Sequence, residues 1–168
     1  LVSAQDIDPI SPPTPPIAAC AVYPIGVNVN TLTSIITGTT VADILDGPGN
    51  GNVGWLSWTG HQSSNILANS LLPLGDSTTY INPLNPADRI VSVGDQVRAR
   101  AGSPNSRPMR DALNALKNVD AIIPVWGTVT GTGSTALYTV VAFAKVRVTD
   151  YALAGDDPGV AATFLGYA

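Results

Sequence analysis

The chain has 168 residues and a formal net charge of −4, and its pI near 4.5 excludes a nucleic-acid binder that works by neutralising phosphates. Only 12% of residues are charged, all twelve acids are Asp, and only two of the eight bases are Lys, so the Glu/Lys coat of a helical protein is missing. Sixteen Gly, fourteen Pro and abundant Thr point instead to strands joined by turns, in a chain long enough to fold without a metal or a disulfide.

Residues 1–17 form a segment of their own. Five prolines fall between Pro9 and Pro16, which favours polyproline II and forbids a central strand. From residue 18 to 168 the chain reads as one domain. Ala19–Val29 is a strand candidate that Pro24 confines to an edge or a bend. Ser34–Ile36 and Val41–Leu45 are short apolar pieces, followed by the turn-forming run Asp46–Gly51. Val53–Trp58 reads as a strand with Trp55 and Ser57 on one face and Leu56 and Trp58 on the other. A short helix is expected over Ser63–Leu72, with Ile66, Leu67, Ser70 and Leu71 sharing a face.

Two Asn-Pro steps make Tyr80–Ala87 a loop, and Arg89–Val93 and Gln96–Arg100 read as strands around Gly94-Asp95. The clearest helix follows. Ser106 is its N-cap, Pro108 lies in its first turn, and Met109, Ala112, Leu113 and Leu116 recur at helical spacing before Lys117. Ala121–Trp126 and Ala136–Val148 form a long hairpin around the loop Gly127–Ser134, and Val160–Tyr167 is the last strand. The expected fold is mostly β, of the α+β kind: a sandwich-like or partly closed domain of seven or eight strands with two short helices and an extended Pro-rich N-terminal arm.

No motif in the chain carries a reaction. The loop Gly127–Ser134 resembles a phosphate cradle, but Gly133 stands where a P-loop needs Lys, and the loop joins two strands. His61 is the only histidine, and no G-x-S-x-G elbow accompanies it. The single cysteine, Cys20, reads as a small apolar residue and cannot pair within the chain. Most Asp residues sit in turns, where the side chain bonds nearby amides, and the absence of Glu rules out an EF-hand loop. The expectation is a protein that is not an enzyme, with no cofactor and no metal. Trp55, Trp58 and Trp126 support one alternative, a cell-surface carbohydrate-binding module that meets glycans through exposed tryptophans. Mean hydropathy is +0.22, yet no apolar run approaches the roughly 18 residues of a membrane helix, so no membrane span is expected in this chain.

The stretch Gly54-Trp55-Leu56-Ser57-Trp58-Thr59-Gly60 resembles the GWL-x-W-x-G element in extracellular domains of TadE/TadG-like Flp pilus-assembly proteins. Further elements agree in order. Val91-Ser92-Val93-Gly94-Asp95 is similar to that family's VSVGD step, and Ser106 to Leu116 to its short helix after an Asn-Ser turn. Ile123-Pro124-Val125-Trp126 followed by Gly131-Thr132-Gly133 resembles its IPVW…GTG hairpin, and Tyr138–Val148 with Phe164-Leu165-Gly166-Tyr167 its closing strands. The resemblance covers about residues 18–168 and implies a bacterial, cell-surface, structural domain with no catalytic residues to carry over. Family members usually begin with a membrane helix. Here the Pro-rich arm stands in that place, which leads to the expectation of a processed or freely secreted subunit.

The expected function is a secreted structural subunit that self-assembles with copies of itself into an extracellular, pilus-like filament. The arm is expected to lie along a neighbouring subunit. Seventeen extended residues reach up to about 55 Å, beyond the radius of such a domain. Leu1, Val2, Ile7, Ile10 and Ile17 are the expected inter-subunit anchors, each contributing roughly 1.5–3 kcal/mol on burial before ordering costs.

Overall fold

A computed structural model describes residues 21–46, 54–73 and 75–168. Its frame is the long hairpin that the alternating, β-branched sequence predicts: β5 (Asp120–Thr130) against β6 (Leu137–Ala152), joined through a 3-10 turn at Gly133–Thr135. The pairing runs from Asp120↔Arg147 to Thr130↔Leu137, with register shifts on either side of Trp126. The earlier strands are β1 (Val27–Asn28), β2 (Thr40–Val41), β3 (Leu56–Ser57) and β4 (Gln96–Ala99), and β7 (Gly159–Tyr167) ends the chain.

The described residues are mostly β, with seven strands in one mixed sheet that does not close on itself. β6 is its hub. One edge of β6 holds β5; the other holds β4 at Leu137–Thr139 and β7 at Ala144–Ala152. Beyond these, β1 runs parallel to β5, β3 pairs with β4, and β2 pairs with β7. All seven strands are joined by backbone pairing into this one sheet.

Helices cover one face. α3 (Arg107–Leu116) forms where Ser106 Oγ accepts from the Met109 amide and Pro108 occupies an early position that needs no amide donor. Met109, Ala112, Leu113 and Leu116 are buried with α2 (Ser64–Ser70) against Ala121, Ile123 and Val125 of β5 and Ala144, Val146 and Val148 of β6. A second cluster lies at one end of the opposite face, built from Leu56, Trp58, Tyr80, Val97, Trp126, Tyr138 and Val140. Trp55 belongs to the first cluster and Leu56 and Trp58 to the second, as the strand alternation predicts.

Two local expectations are corrected. Ala19–Val29 was expected to be one strand; among its described residues only Val27–Asn28 forms a strand, with single bridges at Val22↔Ile122 and Ile25↔Trp55. Asn28 then caps a third helix, α1 (Val29–Thr33), by accepting from the Asn30 amide. Arg89–Val93 is not a strand. It is a loop braced by aspartates: Asp88 accepts from the Ile90 amide and Asp95 from the Ser92 amide, so local side-chain bonds outcompete a ladder.

Candidate functional site

The residues singled out for chemistry do not converge. Ser57 Oγ donates to the backbone carbonyl of His61 rather than to its ring, and His61 lies exposed in the turn before α2. Asp43 Oδ1 accepts from the amides of Leu45 and Val160, pinning its loop to the start of β7. Asp156 and Asp157 lie exposed in the turn between β6 and β7. Among the described residues no group of three or more His, Cys, Asp or Glu is placed to hold a metal ion. Nor is any helix among them long and apolar enough to cross a membrane.

The glycan-binding alternative loses its basis. Trp55, Trp58 and Trp126 are 2%, 3% and 3% exposed, because Trp55 packs into the first cluster and Trp58 and Trp126 into the second. Trp58 meets Tyr80 edge-to-face at 6.0 Å and Trp126 meets Tyr138 at 4.8 Å. These rings are core, and they offer a surface sugar no platform. The expected inter-subunit anchors Leu1, Val2, Ile7, Ile10 and Ile17, and Cys20 with them, lie outside the described residues.

What the described residues do present is an apolar groove of about 480 Å³ at the margin of the second cluster. Its floor is Ile122 of β5 and Phe143 of β6, one wall is Ile90 and Val91, and Val22 and Ala168 complete the apolar lining. The topology of the sheet explains the opening. β4 and β7 share one edge of β6, and they meet across Val140–Phe143: the Gly94 amide donates to the Val140 carbonyl, and the Ala168 amide to the Phe143 carbonyl. Among the described residues no α-helix lines this side, only the 3-10 turn Ser77–Thr79, and Ile122 and Phe143 stay half-buried.

The Ile90 wall is held rigidly. Asn82 Nδ2 donates to Asp88 Oδ2 at 3.0 Å and to Asp95 Oδ1 at 3.2 Å, while Asn82 Oδ1 accepts from the amides of Leu84 and Asn85. The Asn82 amide and the Ile90 N–H hold the Asp88 carboxyl below the usual carboxylate range. At the start of the loop, Tyr80 Oη donates to the Gln96 carbonyl at 2.8 Å. The wall therefore keeps Ile90 68% exposed, and Leu84 and Val93 on the same loop are 71% and 62% exposed. Elsewhere on β5, Asp120 is clasped by Arg147 and Lys145 of β6, which lower its pKa.

Burial raises the pKa of Tyr80, with Asp95 and Asp88 adding to the shift, and pushes that of Tyr138 up to about 12. Each phenol holds its proton more tightly in the folded state than in the unfolded one, where the pKa is about 10. Their stabilising effect is complete below about pH 10 and is lost as the pH rises towards the folded values. Urea midpoints taken at pH 8 and at pH 11 are expected to fall with pH, and to fall less for Tyr138→Phe. An equal fall in the variant would show that Tyr138 ionises as freely folded as unfolded.

Comparison with family models, curated proteins and solved structures finds no match to this chain. Sequence reading did not find the groove. Ile90 and Val91 read as strand, and Ile122 and Phe143 carry the same alternation as their packed neighbours. The one available signal was the density of Asn and Asp between Asn82 and Asp95, which marks a braced loop.

Proposed function

We propose that the protein is a non-enzymatic structural subunit of an extracellular, pilus-like filament on a bacterial surface, self-assembled from copies of this chain, with the N-terminal arm contacting a neighbouring subunit. The observation that carries this reading is the open apolar groove lined by Val22, Ile90, Val91, Ile122, Phe143 and Ala168. A patch of exposed apolar side chains next to a groove is what an interaction surface offers. The sparse charge supports the same reading: with two Lys and no Glu, the sheet lacks many of the charges that usually block association of strand edges. The ordered likeness to TadE/TadG-like extracellular domains supports a cell-surface location and a structural role.

Electron microscopy of the purified full chain at neutral pH tests the reading, beside a chain lacking residues 1–17. The full chain is expected to form filaments, and the shortened chain to stay folded by circular dichroism without polymerising. Monodisperse monomers of the full chain under all salt conditions, or normal polymers of the shortened one, would overturn it.

A further inference from the structure

We propose that the groove formed by Ile90, Val91, Ile122 and Phe143 is the receiving site for the Ile7–Ile10 turn of a neighbouring copy's arm, bound as a polyproline II ligand with Arg89 facing its aspartates. This rests on the polymer reading above and names the contact that would build the polymer.

The periodicity of the arm fits a groove rather than a sheet edge. Polyproline II has three residues per turn and rises about 3.1 Å per residue, so Ile7, Ile10, Pro13 and Pro16 fall on one stripe with roughly 9 Å between successive members. Such a stripe presents apolar side chains to one side and needs no partner backbone. It is the mode by which Pro-rich segments enter apolar and aromatic-lined grooves, with little ordering cost because the helix is extended beforehand. Phe143 supplies the aromatic surface here, with Ile122 and Val91 beside it.

Charge points the same way. Residues 1–20 hold Asp6 and Asp8 and no Lys or Arg, and these aspartates flank Ile7. Arg89 is the only charged residue among the described lining of the groove. Its Nε donates to the Pro86 carbonyl at 3.0 Å, and it forms no ion pair with any described residue. An arginine held at the rim of an apolar groove with no carboxylate partner among the described residues matches an apolar ligand edged with carboxylates.

The connection to the domain favours another copy's arm over the chain's own. The groove begins at Val22, so an arm that folded back would have to reverse within residues 17–20. In the proposed polyproline II conformation the arm would then place Pro16 and Pro13 on the groove and Ile10 and Ile7 beyond it. An arm from a second copy meets no such constraint. Because each subunit offers one arm and one groove, the contact is head-to-tail, the type that propagates into an open filament when its rotation does not close.

Cross-linking between full-length chains tests the assignment. In a Cys20→Ser background, one preparation carries Ile10→Cys and a second carries Ile90→Cys, an exposed position where the change spares the core. A short bismaleimide is expected to give mixed dimers only when both are present. Arg89→Asp in the second preparation is expected to cut their yield tenfold or more, and Asp8→Arg in the first to restore it. Absence of mixed dimers would overturn the assignment. So would a yield indifferent to Arg89→Asp, or cross-linking within single dilute chains that carry both cysteines. Filaments without this cross-link would refute the groove and leave the polymer reading standing. The cross-link without filaments would uphold the groove and refute the polymer.

Discussion

Trp126→Ala is expected to destabilise the protein by about 3–5 kcal/mol, the range found when a large buried aromatic is truncated. Trp126 is 3% exposed and lies between the two register shifts of β5, where the sheet bends around it. Its ring stacks edge-on to Tyr138, and its Cδ1 comes within 3.1 Å of where a Cβ on Gly26 would stand. Its backbone pairs with Asn28 of β1 on one side and Val140 of β6 on the other. Three segments far apart in the chain therefore close around one side chain, and none of them can relax alone into the vacated space. Chemical unfolding of the purified monomer measures the effect. A loss under about 1 kcal/mol would mean that the second cluster collapses freely around the cavity.

Gly54→Ala is the second large effect. Gly54 has φ +41°, and a Cβ there would stand 2.5 Å from the Gly26 carbonyl oxygen and 3.1 Å from Leu45 Cα. Both are backbone atoms, and the Gly26 amide donates to the Gly54 carbonyl at 2.6 Å, so neither side can step back without breaking the contact that joins them. Left-handed strain of about 1–3 kcal/mol and overpacking of about 1–3 kcal/mol act together, and the expected loss is about 2–6 kcal/mol. Gly133→Ala separates the two causes. Gly133 has φ +57° with nothing within 4 Å of its would-be Cβ, so it should show the backbone cost alone. Equal losses at the two positions would remove crowding from the explanation.

Gly54 opens the Gly-Trp-Leu-Ser-Trp-Thr-Gly stretch, and that stretch shows what sequence can and cannot reveal. Its alternation correctly divides Trp55 from Leu56 and Trp58, because a strand buried on both faces still obeys a period of two. It could not say that both faces are covered, so a sugar platform stayed open as the alternative to a core reading of the same tryptophans. α3 was legible because Ser106, Pro108 and the apolar spacing all act within one helix. The β5–β6 hairpin and β7 were legible for the same local reason. The parallel pairing of β1 with β5 was not, since nothing in Val27–Asn28 names a partner almost a hundred residues away. α1 was missed because Val29 extends a β-branched run, and the Asn28 cap that turns the chain there resembles an ordinary strand residue. The groove escaped notice because exposure of Phe143 depends on where β4 and β7 stop along β6, which is a property of the assembled sheet.

The central place of β6 also sets a timetable for synthesis. Chains leave the ribosome N-terminus first, and segments fold as their partners become available. β3 and β4 can pair early, but β1 must wait for β5, β4 for its bond to β6, and β2 for β7. β1, β2 and one edge of β4 therefore emerge with a strand partner still untranslated, and pairings of such long range close slowly. The sheet completes only when its last strand has been made. Until then the apolar groove does not exist, because Phe143 of β6 and Ala168, just after β7, form part of its lining. The groove proposed to receive a neighbour's arm is thus absent from a nascent chain until β6 and β7 have been made.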